Sequence, residues 1–387
     1  MDKPPKEALK FVVGTQYFVY FGVLGIFLPY FNLYCYHLGF SGFQIGVLSA
    51  LRTAATVLFP LLWGVLADRF LIRKPIYIFC NFISTALWAL YLYTVDFWLM
   101  LAITVSYGIF YAPLIAFLEA FTMDVLDSEK KSYGKIRVWG SISFITLVVI
   151  VGRIIDIYSV KIILLLILGG SLIQAALSTT IPDIRIKKER PSYPKVTVLL
   201  SRRVIVFFFC AFLMLVSHGA YYGFFSIHLE NLGYGNTFIG IAWALASASE
   251  ILVMINSDKI FKRFSLVNVL VFSFLVAAIR WFALYFAKTP ALILITQVFH
   301  AITYGSFHIA SILYIDFLTP DEAKTLGQAF NNSVTYGLGI MVGFFLTGYL
   351  YERTGSFALF AMSGMIALAG GLLLGGFEMI DRRTDRS

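Results

Sequence analysis

Apolar residues along this chain gather into long runs, at roughly 11–36, 42–67, 75–94, 98–123, 136–158, 161–181, 204–228, 236–256, 266–287, 290–318, 325–350 and 356–378. A helix crosses the ~30 Å hydrocarbon core of a bilayer with about 20 residues. Each run therefore predicts one membrane helix, twelve in all. The first run follows Lys3, Lys6 and Lys10 and continues to about Tyr36. That is too long for the apolar core of a signal peptide, and no small-residue cleavage site ends it. It is expected to be retained as the first helix.

The polar, basic stretch "PDIRIKKERPSYPKVTVLLSRR" at 182–203 divides the pattern. It predicts two six-helix bundles, 1–181 and 204–387, joined by a linker. The halves echo each other: "GRIIDIYS" closes the run at 136–158 and "GYLYERTGS" the run at 325–350, each with an acid four residues after glycine. Most of the 30 Lys and Arg lie in the tails or the even-numbered connections. Arg153, Lys161, Lys288 and Arg353 lie near odd-numbered ones, and Arg52 and Arg280 inside helices. The positive-inside rule then predicts both termini and the linker in the cytoplasm, in the inner membrane if the source is bacterial.

Composition agrees. The 387 residues are 59% hydrophobic and only 13% charged, against about 25% charged in soluble domains. The net charge of +9 sits in short loops, so topology explains it better than nucleic-acid binding. Cys35, Cys80 and Cys210 lie in separate apolar runs, without metal-ligand spacing or a disulfide framework. No metal, cofactor, nucleophile-elbow or phosphate-loop motif is present, so an enzyme is not expected.

The chemistry lies in the few charges inside apolar runs: Arg52, Glu119, Arg137, Glu250 and Arg280, with His218 and His300 beside them. Such groups are retained in membranes where they pair or face water. Residues equidistant from a turn share a depth on antiparallel helices. Glu119 and Arg137 centre on residue 128, in the polar "DSEKKS" connection. Arg280 and His300 centre on Pro290, and Glu250 and Arg280 on Ser265. Glu250, Arg280 and His300 thus share one level, about 15 Å into the bilayer. Burial raises the proton affinity of a carboxyl group, a neighbouring guanidinium lowers it, and histidine titrates near neutrality. Such a group can take up and release a proton as its partners move; a static ion pair fixing helix packing is the alternative. His218 and Tyr221, with Gln297, Thr303 and Asn331, are further candidates for a cavity wall, as is Arg52.

At these residues the chain resembles a known family. "GVLADRFLIRK" (Gly64–Lys74) resembles the signature loop between helices 2 and 3 of the major facilitator superfamily (MFS). There Gly64 permits close helix approach, Asp68 can cap and pair, and Arg69, Arg73 and Lys74 can bridge to adjoining helix ends as a conformational latch; a merely topogenic loop is the plain alternative. "LEAF…YGKIRVWG", "SEILVM", "AIRWFA" and "QVFHAITYG" resemble helices of lactose-permease-type proton symporters over essentially the full length. The resemblance implies substrate and coupling roles for Glu119, Arg137, Glu250, Arg280 and His300, and a sugar-stacking position at Phe144. It departs at Thr303, where that family has an acid, and at Gln297, where it has a basic residue. "IRW…QxxHxxTxG" resembles more closely the phenylpropionate-permease and nucleoside-symporter relatives.

The expectation is therefore an all-α, polytopic MFS transporter that moves a sugar, nucleoside or aromatic acid together with protons by alternating access. A proton-antiporting exporter of lipophilic compounds is the alternative. The expected partners are the small-molecule substrate, protons and the bilayer, with no nucleic acid, and the expected state is a monomer.

Overall fold

The computed structural model describes residues 6–182 and 199–384, so most of the linker expected at 182–203 lies outside the described residues. Among them all regular structure is helical. Ten helices are long and apolar enough to cross a membrane: α1 (Lys6–His37), α2 (Gly42–Phe70), α3 (Arg73–Leu92), α4 (Phe97–Leu126), α5 (Tyr133–Ile157), α7 (Arg202–Asn231), α8 (Asn236–Arg263), α9 (Leu266–Phe286), α10 (Pro290–Leu318) and α11 (Asp321–Asp381). A shorter apolar helix, α6 (Ile162–Ser178), lies between α5 and α7. The α11 segment breaks at Gly355, whose φ of 72° only glycine adopts without strain. In hydrocarbon every backbone donor and acceptor must be satisfied within the segment, which is why these runs are helices.

By backbone contacts the chain divides into two units. One comprises Met1–Phe40, Leu51–Arg190 and Gly233–Ala244; the other comprises Ser41–Ala50, Pro191–Leu232 and Leu245–Ser387. In the first unit α1 packs mainly against α5 and α6, and in the second α11 packs mainly against α7 and α9. The three cysteines are buried and free.

The internal repeat has a structural meaning in each unit. "HLGFSGFQIG" (37–46) and "NLGYGNTFIG" (231–240) each turn at a left-handed glycine, Gly39 or Gly233, between two helices. In the first unit, the Asp156 carboxylate at the end of α5 accepts from the backbone N–H of Asn236 (2.7 Å) and Thr237 (2.9 Å), capping α8. In the second unit, the Glu352 carboxylate accepts from the Gly42 N–H at 2.7 Å, capping α2. The approach is close because glycines line it. A Cβ on Gly240 would stand 2.5 Å from the Val148 carbonyl oxygen, and one on Gly46 2.6 Å from that of Phe344. The repeated glycine-to-acid spacing is thus a docking corner, made once in each unit.

Candidate functional site

In the second unit three helices bring one polar group together. Arg280, on α9, is wholly buried. Its Nη1 donates to His300 Nδ1 at 2.7 Å and to Thr303 Oγ1 at 3.0 Å, and its Nη2 to Gln297 Oε1 at 3.3 Å. The guanidinium carbon lies 4.5 Å from the Tyr221 ring centroid and 4.4 Å from that of Trp281. Gln297 is oriented for this role: its Nε2 donates to the Ile293 carbonyl (3.2 Å) and Thr296 Oγ1 (3.0 Å), turning its oxygen toward Arg280.

A guanidinium only donates, so Nδ1 of His300 must accept. The bonding assigns a neutral imidazole carrying its proton on Nε2, and Nε2 stands 2.9 Å from Glu250 Oε1 on α8. Arg280, His300 and Glu250 thus form one directional chain. The chain depends on a local distortion: α10 is π-helical from Ala301 to Ser306, directly after His300. Such bulges insert an extra residue into a turn and occur frequently at functional sites.

His218, in α7, is also buried, and its Nδ1 lies 2.8 Å from the Met214 carbonyl. That contact requires Nδ1–H and leaves Nε2 as an acceptor, which has no partner among the described residues. Its ring meets Trp281 edge-on at 5.0 Å and lies 6.1 Å from His300. His218 and Tyr221 therefore belong to the same neighbourhood. Among the described residues Asn331 does not join it by a hydrogen bond: it accepts from Thr335 at 3.1 Å, just ahead of a second π-helical stretch, Asn332–Gly339.

In the first unit, Glu119 and Arg137 stand on the facing helices α4 and α5, but among the described residues no ion pair within 4 Å joins them. Glu119 accepts a long bond from the Tyr133 hydroxyl, at 3.5 Å. Arg137 instead lies over the face of Phe21, 3.7 Å from its centroid. Depth was legible in the sequence; the rotation that gives Arg137 to an α1 aromatic ring was not. Phe144 is buried where α1 and α5 meet, its backbone so close to Gly25 that a Cβ there would stand 3.1 Å away. Its position is a helix contact. Arg52, on α2, has its guanidinium 4.9 Å from the Phe27 ring centroid.

Where α2 meets α3, Arg73 at the start of α3 bonds Asp124 at 2.7 Å and stands 3.7 Å from Asp68 in the last turn of α2. Arg69 lies over Phe70. Lys74 makes no ion pair among the described residues. The close approach expected at Gly64 is absent here, because a Cβ on it would meet no atom within 4 Å. The place of Asp124 opposite Arg73 depends on the α3–α4 packing. Tyr133 opens the stretch "YGKIRVWG", yet its bond to Glu119 shows only in the structure, and Phe21 lies in no motif.

Long apolar helices that carry buried, mutually bonded ionisable groups are those of an integral membrane protein. The model of the MFS_1 like family matches residues 11–362, and the chain belongs to that family. It is 27% identical to the "Probable 3-phenylpropionic acid transporter" of Escherichia coli (strain K12), over 92% of this chain and 94% of the relative. It is also 27% identical to the maltose permease of Geobacillus stearothermophilus, over 95% of this chain and 94% of the relative. The crystal structure of the nucleoside transporter NupG shares the fold with a TM-score of 0.83 and 19% identity, covering 95% of this chain and 98% of that one. The protein is an MFS transporter and not an enzyme.

Proposed function

We propose that the protein is a proton-coupled symporter of a small organic solute, working as a monomer by alternating access. The twelve helical segments obtained by dividing α11 at Gly355 and counting α6 would then be twelve spans, with both termini cytoplasmic. The solute classes are those of the relatives: an aromatic acid, a sugar or a nucleoside.

The observation that carries this reading is the Arg280–His300–Glu250 chain. While Arg280 occupies Nδ1 of His300, the imidazole has no free site for a proton, and Glu250 is the group able to take one. Once Arg280 turns away, Nδ1 becomes available and the proton can pass along the chain. Movement of one guanidinium would thus link proton affinity to conformation, which is the requirement of coupling. Glu119 and Arg137 would contribute to solute binding, and the Asp68–Arg73–Asp124 group would act as the latch.

The test is uptake by proteoliposomes containing the purified protein, with solutes first screened by thermal shift. An inward proton gradient should drive accumulation above the equilibrium level, and a protonophore should abolish it. Equilibration without accumulation, or expulsion of solute, would overturn symport.

A further inference from the structure

A third arginine within the apolar helices, Arg52, has no acid bonded to it among the described residues. Arg52 lies on α2, ten residues beyond Gly42 and so about 15 Å along the helix. Among the described residues it makes no hydrogen bond and no ion pair within 4 Å; its guanidinium carbon lies 4.9 Å from the Phe27 ring centroid. It is half-buried, and none of its nitrogens is sealed from approach. The phenols Tyr107, Tyr111, Tyr20 and Tyr91 lie around it and bring no opposite charge. Arg280 is bonded on both nitrogens of its fork, and Arg137 has Glu119 nearby. Arg52 has neither arrangement.

Its surroundings are ordered. The α2 and α4 helices approach closely beside it, where a Cβ on Gly108 would stand 2.6 Å from that of Ala55. From there the rings form a stacked rail. Tyr107 stacks on Tyr111 at 4.8 Å and 19°, and Tyr111 on Tyr20 at 5.4 Å and 10°. Tyr20 then meets Phe21, the ring beneath Arg137.

A charged side chain inside a membrane segment is costly and marks a ligand or ion path when nothing in the protein balances it. A planar guanidinium with free donors matches a carboxylate, which supplies opposite charge and two acceptor oxygens. Aromatic faces accept a flat apolar body in offset stacking. We propose that Arg52 anchors the carboxylate of the transported solute and that the aromatic wall around it, Phe27 with the Tyr107–Tyr111–Tyr20 rail, borders its planar body, so that the substrate class is an aryl carboxylate. This rests on the transport reading above and narrows it: a neutral sugar or nucleoside would leave Arg52 unbalanced.

The test compares phenylacetate with phenylacetamide, which has nearly the same size and no charge, by binding to purified protein. The wild type should bind the acid at least about tenfold more tightly than the amide, the scale of one charge-assisted pair. Arg52→Gln should remove that preference, and Arg52→Lys should keep part of it, since lysine retains charge without the fork. Equal binding of acid and amide by the wild type, or no binding of either, overturns the proposal. So does an unchanged preference in R52Q. If R52Q does not purify as a monodisperse protein, R52K decides, an undiminished preference counting against the anchor. Proteoliposome uptake separates the two readings. Proton-driven accumulation of a sugar or nucleoside but not of phenylacetate leaves symport standing and removes the Arg52 assignment. An acid preference lost in R52Q, without gradient-driven uptake of any solute, does the reverse.

Discussion

Arg280 donates to Nδ1 of His300 across 2.7 Å, and that single contact sets the state of the imidazole. The same guanidinium holds Thr303 and Gln297, so three side chains depend on one fork. Lysine offers a point charge without the planar donor array. Arg280→Lys should therefore lose most transport, and Arg280→Met should also destabilise the fold. Removing one partner from a buried polar network costs about 3–5 kcal/mol. Thermal unfolding of the purified variants in detergent checks the second expectation, and uptake the first. An R280M protein that melts with the wild type would show that the network is not structural.

Glu250 accepts from His300 Nε2 at 2.9 Å. Glutamine at this position mimics a protonated carboxyl group and can still accept that bond. Glu250→Gln is expected to exchange solute across the membrane at near wild-type rate and to lose accumulation against a gradient. Counterflow and proton-driven uptake in the same vesicles measure both. Retained accumulation would assign the proton to another acid, with Glu119 the next candidate.

The apolar helices were legible because hydrocarbon imposes one requirement, a run of about 20 apolar residues; of the twelve expected, ten are long enough to span, the runs at 325–350 and 356–378 join in α11, and the run at 161–181 gives the shorter α6. The common level of Glu250, Arg280 and His300 was legible for a geometric reason: residues equidistant from a turn lie side by side on antiparallel helices. Counting gives depth and not azimuth. It placed Glu119 opposite Arg137, yet Arg137 turns onto Phe21. It could not foresee the π-helical turn after His300, since one extra residue in a turn leaves no compositional mark. Nor could it show that Gly64 has no neighbour, because a small residue permits close packing without compelling it. The Gly152–Asp156 and Gly348–Glu352 spacings were visible, but what the acids bind required the structure.

The connection between α4 and α5 gives a prediction that depends on pH. Glu129 bonds Lys10 and Lys6, each at 2.9 Å, tying that connection to the start of α1. Those bonds hold its carboxyl group down at about 2, against an ordinary value of 4.5. The folded-state value is depressed, so the tie is fully present above about pH 4.5 and fades as pH falls toward about 2. Because the pair is exposed, salt should weaken it as well. Hydrogen exchange in the first turns of α1 should be steady from pH 8 to pH 5, apart from the intrinsic rate. It should rise in Glu129→Gln, which reproduces the acid state at neutral pH. Equal exchange in the variant and the wild type would remove the tie.

The two docking corners differ in strength, and this yields an ordered expectation. Asp156 accepts from two backbone N–H groups at the start of α8, and the Asn236 side-chain amide and the Thr237 hydroxyl add two more bonds, at 3.1 and 2.5 Å. Glu352 accepts from the single N–H of Gly42. A carboxylate at a helix N-terminus satisfies orphan donors and meets the positive end of the helix dipole. Loss of one such cap costs about 1 kcal/mol. Asp156→Ala should therefore lower the melting temperature more than Glu352→Ala. Asp156→Asn should fall between the wild type and Asp156→Ala, since an amide oxygen still accepts. Asp96, which accepts only from the Leu99 N–H at 2.9 Å, is a reference for one ordinary cap. The corner glycines set a second scale. A leucine at Gly240 would drive its Cβ into the Val148 carbonyl, so Gly240→Leu must displace α8 from α5 and should destabilise the protein more than Asp156→Ala. A melting temperature for Gly240→Leu equal to that of the wild type would mean that the two helices separate without cost, and the corner would then be incidental to the fold.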